Sequence, residues 1–350
     1  MSANPLPGDQ RFCRAMLPRV SRTFAINIRL LGGSLGEAVR TGYLLCRAAD
    51  TLEDGWLGSP AEVGARFDGF EVALGGDAAA ARELARRAAA ERSERADFAL
   101  LASLPRVLAV FESLPGPDRE IVRAGVGTLA AGMRRYATRA AGRPAGAAYL
   151  DTEAELHDYC WVVAGCVGVM LTRLFERRLP AAHAADGKRR LEAAPAVGEA
   201  LQLTNILLDW PADLRRGRCH LPAAWLAEWD LTPADLVAGD SPGVRVLASR
   251  LESLARAALA RVPDYLDLIP ARCVRYRLFC LWPALWAAAS LRYARQDAEF
   301  PWGARRPRLP RSELWRSALA SVLGAHSPGG VRKLCATAGA PGGPAAPTAA

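Results

Sequence analysis

Two stretches of this chain place acidic side chains along one face of an otherwise apolar helix, and this pattern constrains the fold more than any other feature. In the first stretch, Tyr43, Arg47, Asp50 and Asp54 recur at i, i+4, i+7 and i+11. Residues at that spacing share one helix face. Because a row of carboxylates among apolar residues is costly to bury, it needs a cation beside it. The pattern predicts a helix whose acidic stripe faces a bound cation.

The second stretch repeats this layout later in the chain. Gln202, Asn205, Asp209 and Asp213 follow one another at i, i+3, i+7 and i+11. A single acidic stripe is often only a solvated helix face, but two of them inside apolar sequence argue against that interpretation. Oxygen ligands on rigid helices suit magnesium that is bound together with phosphate groups. We therefore predict a site for magnesium and phosphate groups.

The remaining sequence favours an all-α protein in one domain. Alanine, leucine and arginine dominate the composition, and convincing strand patterns with a period of two are absent. Glycine and proline mark breaks, none of which resembles a long linker, so we expect one domain over residues 1–337 and a disordered Ala/Gly/Pro-rich tail over residues 338–350. The predicted helices cover residues 9–18, 22–31, 34–54, 60–73, 78–113, 117–140, 152–178, 188–215, 244–265, 271–296 and 312–325.

The charge and the cysteine content indicate which binding partners and which cellular compartment to expect. The net charge of +9 comes almost entirely from arginine, which suits diphosphates or an anionic membrane surface. We expect no nucleic-acid partner, because no motif for one is present. Eight scattered cysteines without C-x-x-C spacing favour a reducing compartment without disulfides or zinc. The sequence shows no hydrophobic signal core and no run of ~18 apolar residues, so we expect a cytoplasmic protein that makes peripheral contact with a membrane surface. We also expect it to be a monomer.

Several blocks, in a fixed order, make the chain resemble the squalene and phytoene synthases, the head-to-head trans-prenyl transferases. The resemblance implies an isoprenoid synthase fold, a single large helical bundle around a deep apolar cavity. It also implies that magnesium and two farnesyl diphosphates bind there, that presqualene diphosphate forms, and that squalene requires a final hydride from NADPH. The matching blocks are residues 21–25, 43–54, 132–133, 158–160, 163–168, 202–213, 216–218 and 221–222.

The resemblance assigns roles residue by residue. It implies metal ligands or their supports at Asp50, Glu53, Asp54, Asp209 and Asp213. It implies diphosphate contacts from Ser21, Arg22, Arg47, Gln202, Asn205 and Arg218. It implies catalytic roles for Tyr43, Arg47 and Tyr159, with Tyr159 relaying a proton beside the departing diphosphate. It implies a cavity lined by Phe24, Val163, Gly165, Leu201, Phe279 and Pro283. The simpler alternatives are that Ser21 is a helix N-cap and Tyr159 a core tyrosine.

Two departures from the family pattern lie in the second acidic block, which commonly reads R-D-x-x-E-D. Leu208 stands in place of the arginine and Ala212 in place of the glutamate. Pro211 removes a helical hydrogen bond between the two retained aspartates, so we expect the helix to kink or end there. These changes bear on the reaction more than on the fold.

The same resemblance favours a squalene synthase. Residues 22–31 and 279–283 look more like squalene synthases than phytoene synthases, and residues 304–311 form a basic segment where NADPH could dock. The alternative for that segment is a solvated basic loop. The other functions that we consider are a phytoene or dehydrosqualene synthase, a presqualene diphosphate synthase, or a non-catalytic binding or assembly factor. The arginines proposed for the cofactor are Arg305, Arg306, Arg308 and Arg311.

Overall fold

The computed structural model describes residues 7–303 and 305–339, and the regular structure in this part of the chain is helical. A single β-bridge joins Ala148 to Cys219 there. The all-α prediction is therefore confirmed. The α-helices are α1 (Pro7–Val20), α2 (Arg22–Leu31), α3 (Gly33–Asp50), α4 (Pro60–Leu74), α5 (Ala78–Ala90), α6 (Ala96–Leu101), α7 (Leu104–Glu112), α8 (Gly116–Ala141), α9 (Glu153–Cys160), α10 (Cys166–Glu176), α11 (Gly187–Ala193), α12 (Pro195–Arg215), α13 (Ala223–Ala227), α14 (Asp235–Ala238), α15 (Pro242–Ala260), α16 (Val262–Asp267), α17 (Val274–Ala294), α18 (Arg311–Gly324) and α19 (Pro328–Gly339).

Two short π-helical segments interrupt the regular helices beside residues of the predicted site. Thr51–Gly55 continues α3, and Trp161–Gly165 joins α9 to α10. A π turn accommodates an extra residue, and such turns are frequent at functional sites. A 3₁₀ turn at Ala181–Asp186 precedes α11.

Side-chain caps explain why several helices begin where they do. Ser59 and Glu62 form a reciprocal capping box at the start of α4. Thr152 caps α9 by accepting from the Glu155 amide, and Ser241 caps α15 by accepting from the Val244 amide. Each cap satisfies backbone donors that a helix leaves unpaired at its first turn.

Glycines allow the helices around the site to approach closely. Gly132 of α8 lies against Val162, and Gly198 of α12 lies against the Ala164 carbonyl, so that a Cβ at either glycine would clash. The π-helical segment Trp161–Gly165 therefore packs between α8 and α12. On the other side of α12 lie α15 and α17. This packing fixes the second acidic helix against the helix that carries Tyr159.

The helical run Glu153–Glu176 is long and apolar enough to cross a membrane by length and composition alone. In the structure, half of its most apolar window is buried, and α8 and α12 pack on it. The same run carries Tyr159, so it belongs to the core of the helical bundle. The eight cysteines are all free thiols.

Several predicted helices differ from those observed. The predicted helix 78–113 is three helices, because Arg92 adopts a positive φ of 47° after α5, and Pro105 occupies the first turn of α7. Prolines also begin new helices inside the predicted segments 188–215 and 244–265, at Pro195 and Pro263. Helix α19 was not predicted, and its last residues extend into the tail assigned to residues 338–350. The rest of that tail lies outside the described residues.

Candidate active site

The two acidic stripes face a common cavity of about 210 Å³. We call Arg47, Asp50, Glu53 and Asp54 the first wall, and Gln202, Asn205, Asp209 and Asp213 the second wall. All of these except Asp54 line the cavity, as does the predicted cavity residue Val163. The remaining lining residues are Met133, Tyr159, Ile206 and His220. The structure thus brings together residues that lie far apart in the sequence.

Arg47 of the first wall is held by a carboxylate that the sequence analysis missed. Its Nε and Nη2 donate to the two carboxylate oxygens of Asp97, at 3.0 and 3.1 Å. Its Nη1 donates to Asp50 Oδ2 at 3.3 Å. The paired bonds to Asp97 fix the plane of the guanidinium and direct its third nitrogen toward the cavity. Asp97 lies in the first turn of the short helix α6, which offers too few residues for a helical periodicity to be recognised.

The π-helical segment separates the next two acidic residues of the first wall. Glu53 is buried with 3% exposure, and its Oε1 accepts from the Tyr159 hydroxyl at 3.3 Å. The Asp54 side chain is 50% exposed and has Arg218 Nε at 3.9 Å from its Oδ1. Glu53 therefore faces the interior, while Asp54 lies at the rim of the site.

A buried polar cluster joins the two walls. The Tyr159 hydroxyl lies 3.3 Å from His220 Nε2, and His220 Nδ1 lies 3.6 Å from Asp213 Oδ2. With the Glu53 contact, the chain of groups runs from the first wall to the second. His220 was not among the predicted site residues, although it lies between the matched blocks 216–218 and 221–222.

Arg218 lies at the edge of this buried cluster, beside Glu53 and Asp54. It is 8% exposed and donates through Nη2 to the Glu53 carbonyl oxygen. Its Nη1 is buried without a hydrogen-bond partner in the described part of the chain. A buried guanidinium N–H without a partner is costly, which makes it a ready donor for an anionic ligand.

The second wall receives its cation from a distant loop. Arg306 donates through Nη1 to Asp209 Oδ2 at 2.7 Å and through Nη2 to Asn205 Oδ1 at 3.3 Å. Arg306 was predicted as a cofactor ligand; the structure places its side chain on this wall, and the cofactor role stays a prediction. The neighbouring residues Arg305, Arg308 and Arg311 are exposed.

The departures in the second block have structural consequences. Leu208 is 3% exposed, so an arginine at this position would have to bury its charge. Of the two expectations for Pro211, an end of the helix there is wrong, because α12 continues to Arg215, while a kink stays a prediction. Asp209 and Asp213 consequently remain on one helix and line the same cavity.

The environment shifts the pKa values of the acidic residues upward. Burial raises the pKa of Asp50 to about 6, although Arg47 opposes the shift. Burial, with the negative charges of Asp54 and Asp209, raises the pKa of Asp213 to about 7. Burial also raises the pKa of Asp209, against the opposing effect of Arg306. Because Asp54 and Asp213 belong to opposite walls, the negative charge of the first wall raises a carboxyl pKa on the second.

Burial also sets the protonation of the central cluster. It lowers the pKa of His220 to about 4, so the imidazole is neutral near pH 7. It raises the pKa of Tyr159 well above its usual value, and the Glu53 charge acts in the same direction. Burial and the nearby Asp54 likewise raise the pKa of Glu53 well above the usual carboxyl range. Burial therefore favours the uncharged forms of all three groups.

The predicted residues at the start of the chain lie around α2 and α3. Ser21 caps α2 by accepting from the Phe24 amide at 3.3 Å, and Arg22 is exposed. The Phe24 ring packs on Tyr43 with centroids 5.2 Å apart. Burial raises the pKa of Tyr43 to about 12. Neither aromatic residue lines the cavity between the walls, so their assigned roles stay predictions.

The remaining cavity predictions fall on helix contacts. Gly165 lies close to Pro195, and the Leu201 side chain is partly exposed on α12. Phe279 of α17 is buried edge-to-face against Phe175, and Pro283 is buried within α17. None of these four lines the cavity between the walls. A deep apolar cavity along these residues therefore stays a prediction.

The acidic residues suit magnesium that is shared with a ligand. Within residues 7–303 and 305–339, no three acidic, histidine or cysteine side chains converge on one point as a closed metal site. Magnesium commonly takes one or two protein carboxylates and completes its shell with water and phosphate oxygens. Two walls of partly neutralised carboxylates with raised pKa values fit that mode of binding.

Comparison with known proteins identifies relatives over most of the chain. The squalene/phytoene synthase family profile matches residues 17–313. The 15-cis-phytoene synthase of Synechococcus elongatus is 28% identical over 80% of both chains. The squalene synthase of Bos taurus is 26% identical over 83% of this chain and 65% of its own length. The phytoene synthase of Thermus thermophilus is 43% identical over 31% of this chain and 35% of its own length.

The fold agrees with solved structures. The structure described as TcSQS with the ligand BPH1237 superposes with a TM-score of 0.73, covering 95% of this chain and 90% of that chain at 22% sequence identity. The predicted isoprenoid synthase fold is thereby confirmed. Phytoene and squalene synthases resemble the chain to similar degrees, so the comparisons leave the product open.

Proposed function

The chain belongs to the squalene/phytoene synthase family, and we propose that it condenses two molecules of farnesyl diphosphate head to head to give squalene. The observation that carries this proposal is the buried line of Glu53, Tyr159, His220 and Asp213 between two acidic walls. It gives the cavity both a place for diphosphate groups and a proton donor beside them. A non-catalytic binding factor would not require this arrangement.

The first and second walls would share the task of holding the two diphosphates. Arg47, fixed by Asp97, presents one guanidinium nitrogen near Asp50, and Arg218 has a buried N–H ready for a phosphate oxygen. On the second wall, Arg306 supplies the positive charge that Leu208 cannot. A diphosphate that enters between these arginines exchanges its hydration for charge-assisted hydrogen bonds.

Magnesium, held by Asp50 and Asp54 on one side and by Asp209 and Asp213 on the other, would neutralise the diphosphate charge and make it a better leaving group. A residue of the chain, Tyr159, would then supply a proton to the departing diphosphate. Tyr159 keeps its hydroxyl proton because burial raises its pKa, and it can donate to a diphosphate oxygen as negative charge develops there.

The neighbours of Tyr159 orient that proton. A phenol donates one hydrogen bond, so an arrangement that satisfies the cluster has Tyr159 donating to Glu53 while His220 Nε2–H donates to Tyr159. A protonated Glu53 can return a proton to Tyr159 after transfer.

We propose NADPH as the hydride source for the last step, with exposed Arg305, Arg308 and Arg311 as docking residues. Their loop reaches the second wall through Arg306, which places a basic surface beside the cavity mouth. A phytoene-type or dehydrosqualene product is the second candidate. It is favoured by the resemblance to phytoene synthases at 28% identity over 80% of both chains.

Product analysis tests the proposal. Purified protein with labelled farnesyl diphosphate and magnesium should form presqualene diphosphate without NADPH and squalene when NADPH is added. A matched reaction with EDTA should form neither. A dehydrosqualene or phytoene-type hydrocarbon that is independent of NADPH would favour the second candidate, and absence of any condensation product would contradict the enzymatic assignment.

A further inference from the structure

Helix α18 carries a row of large apolar side chains on its outer face. Trp315, Leu319, Val322 and Leu323 are 68%, 76%, 43% and 84% exposed. They recur at i, i+4, i+7 and i+8, which is the spacing of one helix face. We call these four residues the outer stripe. Single exposed apolar residues are ordinary, but a continuous row on one helix marks an interaction surface.

The opposite face of α18 is fixed to the protein body. Trp282 donates its indole N–H to Ser321 at 2.7 Å, and Trp286 donates to Ser317 at 3.1 Å. These bonds tie the indole rings of both tryptophans to α18. Since two serines one turn apart on the inner face are bonded to α17, the outer stripe faces away from α17.

The charge around the outer stripe is strongly positive. Residues 305–339 contain six arginines and one lysine but a single acidic residue, Glu313. Carboxylates pair with Arg306, Arg316 and Arg332, whereas Arg305, Arg308 and Arg311 are exposed at the start of α18. Glu313 is 7% exposed and pairs with Arg292 and Arg316, so it offers little negative charge to the surface. An apolar helix face with a tryptophan, preceded along the chain by exposed arginines, has the chemistry of a helix that lies in the interface of an anionic membrane.

We propose that the outer stripe docks this protein onto an anionic lipid surface, with Trp315, Leu319 and Leu323 inserted among the headgroups and the flanking arginines against lipid phosphates. This surface is separate from the acidic cavity, and the proposal does not depend on which product the enzyme makes.

The other occupants fit the surface less well. A second copy that docked by the same stripe would bring two basic surfaces together, because a two-fold interface pairs like with like. Residues 340–350 consist of alanine, glycine, proline and threonine, so that segment has neither large apolar nor acidic side chains with which to cover the stripe.

Vesicle flotation of the full chain tests the proposal. We expect binding to vesicles of phosphatidylglycerol and phosphatidylcholine at low salt, and at least ~10-fold weaker binding to phosphatidylcholine alone. The double variant Leu319→Ser with Leu323→Ser should lose at least ~10-fold in partitioning onto the anionic vesicles. The matched control is Val72→Ser with Val246→Ser, which removes apolar side chains that are 50% and 43% exposed elsewhere and should bind as the parent does.

Circular dichroism confirms that both double variants keep the helical fold, which the exposed positions permit. Equal flotation of the parent and the α18 variant would overturn the proposal, as would a parent that binds neither vesicle. Sedimentation without lipid tests the remaining alternative, in which the outer stripe binds a second copy of the chain. A parent dimer that becomes monomeric in the α18 variant would assign the stripe to a second copy and also overturn lipid docking.

Discussion

The two acidic walls balance their charge in different ways. On the first wall, the arginine beside Asp50 comes from the same helix three residues earlier and is held by Asp97. On the second wall, the cation beside Asp209 is Arg306, which lies 97 residues further along the chain. The first wall is built largely from its own helix and a neighbouring turn, whereas the second depends on a loop near α18. A lost local charge can thus be replaced by a residue from a remote segment.

Replacing the central aspartate of each wall should have the largest effect and tests this comparison directly. We expect Asp50→Asn to lower turnover by about 1,000-fold and Asp209→Asn by about 100-fold, since Arg306 retains positive charge on the second wall. Steady-state rates with farnesyl diphosphate and magnesium provide the measurement. The control is Asp68→Asn, a surface aspartate paired with Arg134. Equal losses of turnover in the two variants would show that the walls do not differ in how strongly they depend on their central aspartate.

Removing the hydroxyl between the walls should have the next largest effect. Tyr159→Phe keeps the ring and is expected to lower the rate of product formation by about 100-fold with little change in KM, because a proton donor is lost. Tyr265→Phe is a matched control, since this buried tyrosine bonds Thr172 at 2.7 Å and does not line the cavity. A Tyr159→Phe enzyme with the parent rate would show that the tyrosine is a packing residue.

Removing the remote cation should change the metal requirement of the second wall. In Arg306→Ala, Asp209 loses its partner, so the magnesium concentration for half-maximal rate should fall by about fivefold while the KM for farnesyl diphosphate rises. Arg245→Ala breaks a comparable exposed pair with Asp240 and serves as the control. An unchanged magnesium dependence would mean that Arg306 does not compete with the metal.

The smallest expected effect concerns stability and pH. The pKa of Asp213 rises from 3.8 to about 7 on folding, so the folded state binds more protons than the unfolded state between these values. Stability without magnesium should therefore fall as the pH rises through this window. Asp213→Asn should be more stable than the parent by about 1 kcal/mol at pH 8 and equal to it at pH 3. Urea unfolding at both pH values measures this, and a difference that persists at pH 3 would point to packing.

Helical periodicity predicted both walls, because their polar residues recur at fixed spacing within apolar sequence. It could not predict Asp97 or His220, or the place of Arg306 on the second wall, because their partners lie far away in the chain. Such contacts depend on how helices pack, and no local pattern encodes them. The breaks within residues 78–113 were missed for a related reason, since alanine, arginine and leucine favour helix on both sides of each turn.

The π-helical segments beside the cavity have a consequence for how the helices tolerate insertion or deletion of a residue. An α-helix advances about 100° per residue, so deleting one residue would rotate everything beyond it to a new face. A π turn stores one residue more than an α-helical turn needs, and Trp161–Gly165 separates Tyr159 from the α10 face that packs on α8. The extra residue of this segment therefore sets the rotation of Tyr159 about the helix axis relative to the face of α10 that packs on α8. Loss of one residue there would be absorbed by the π turn, so that both faces would keep their directions.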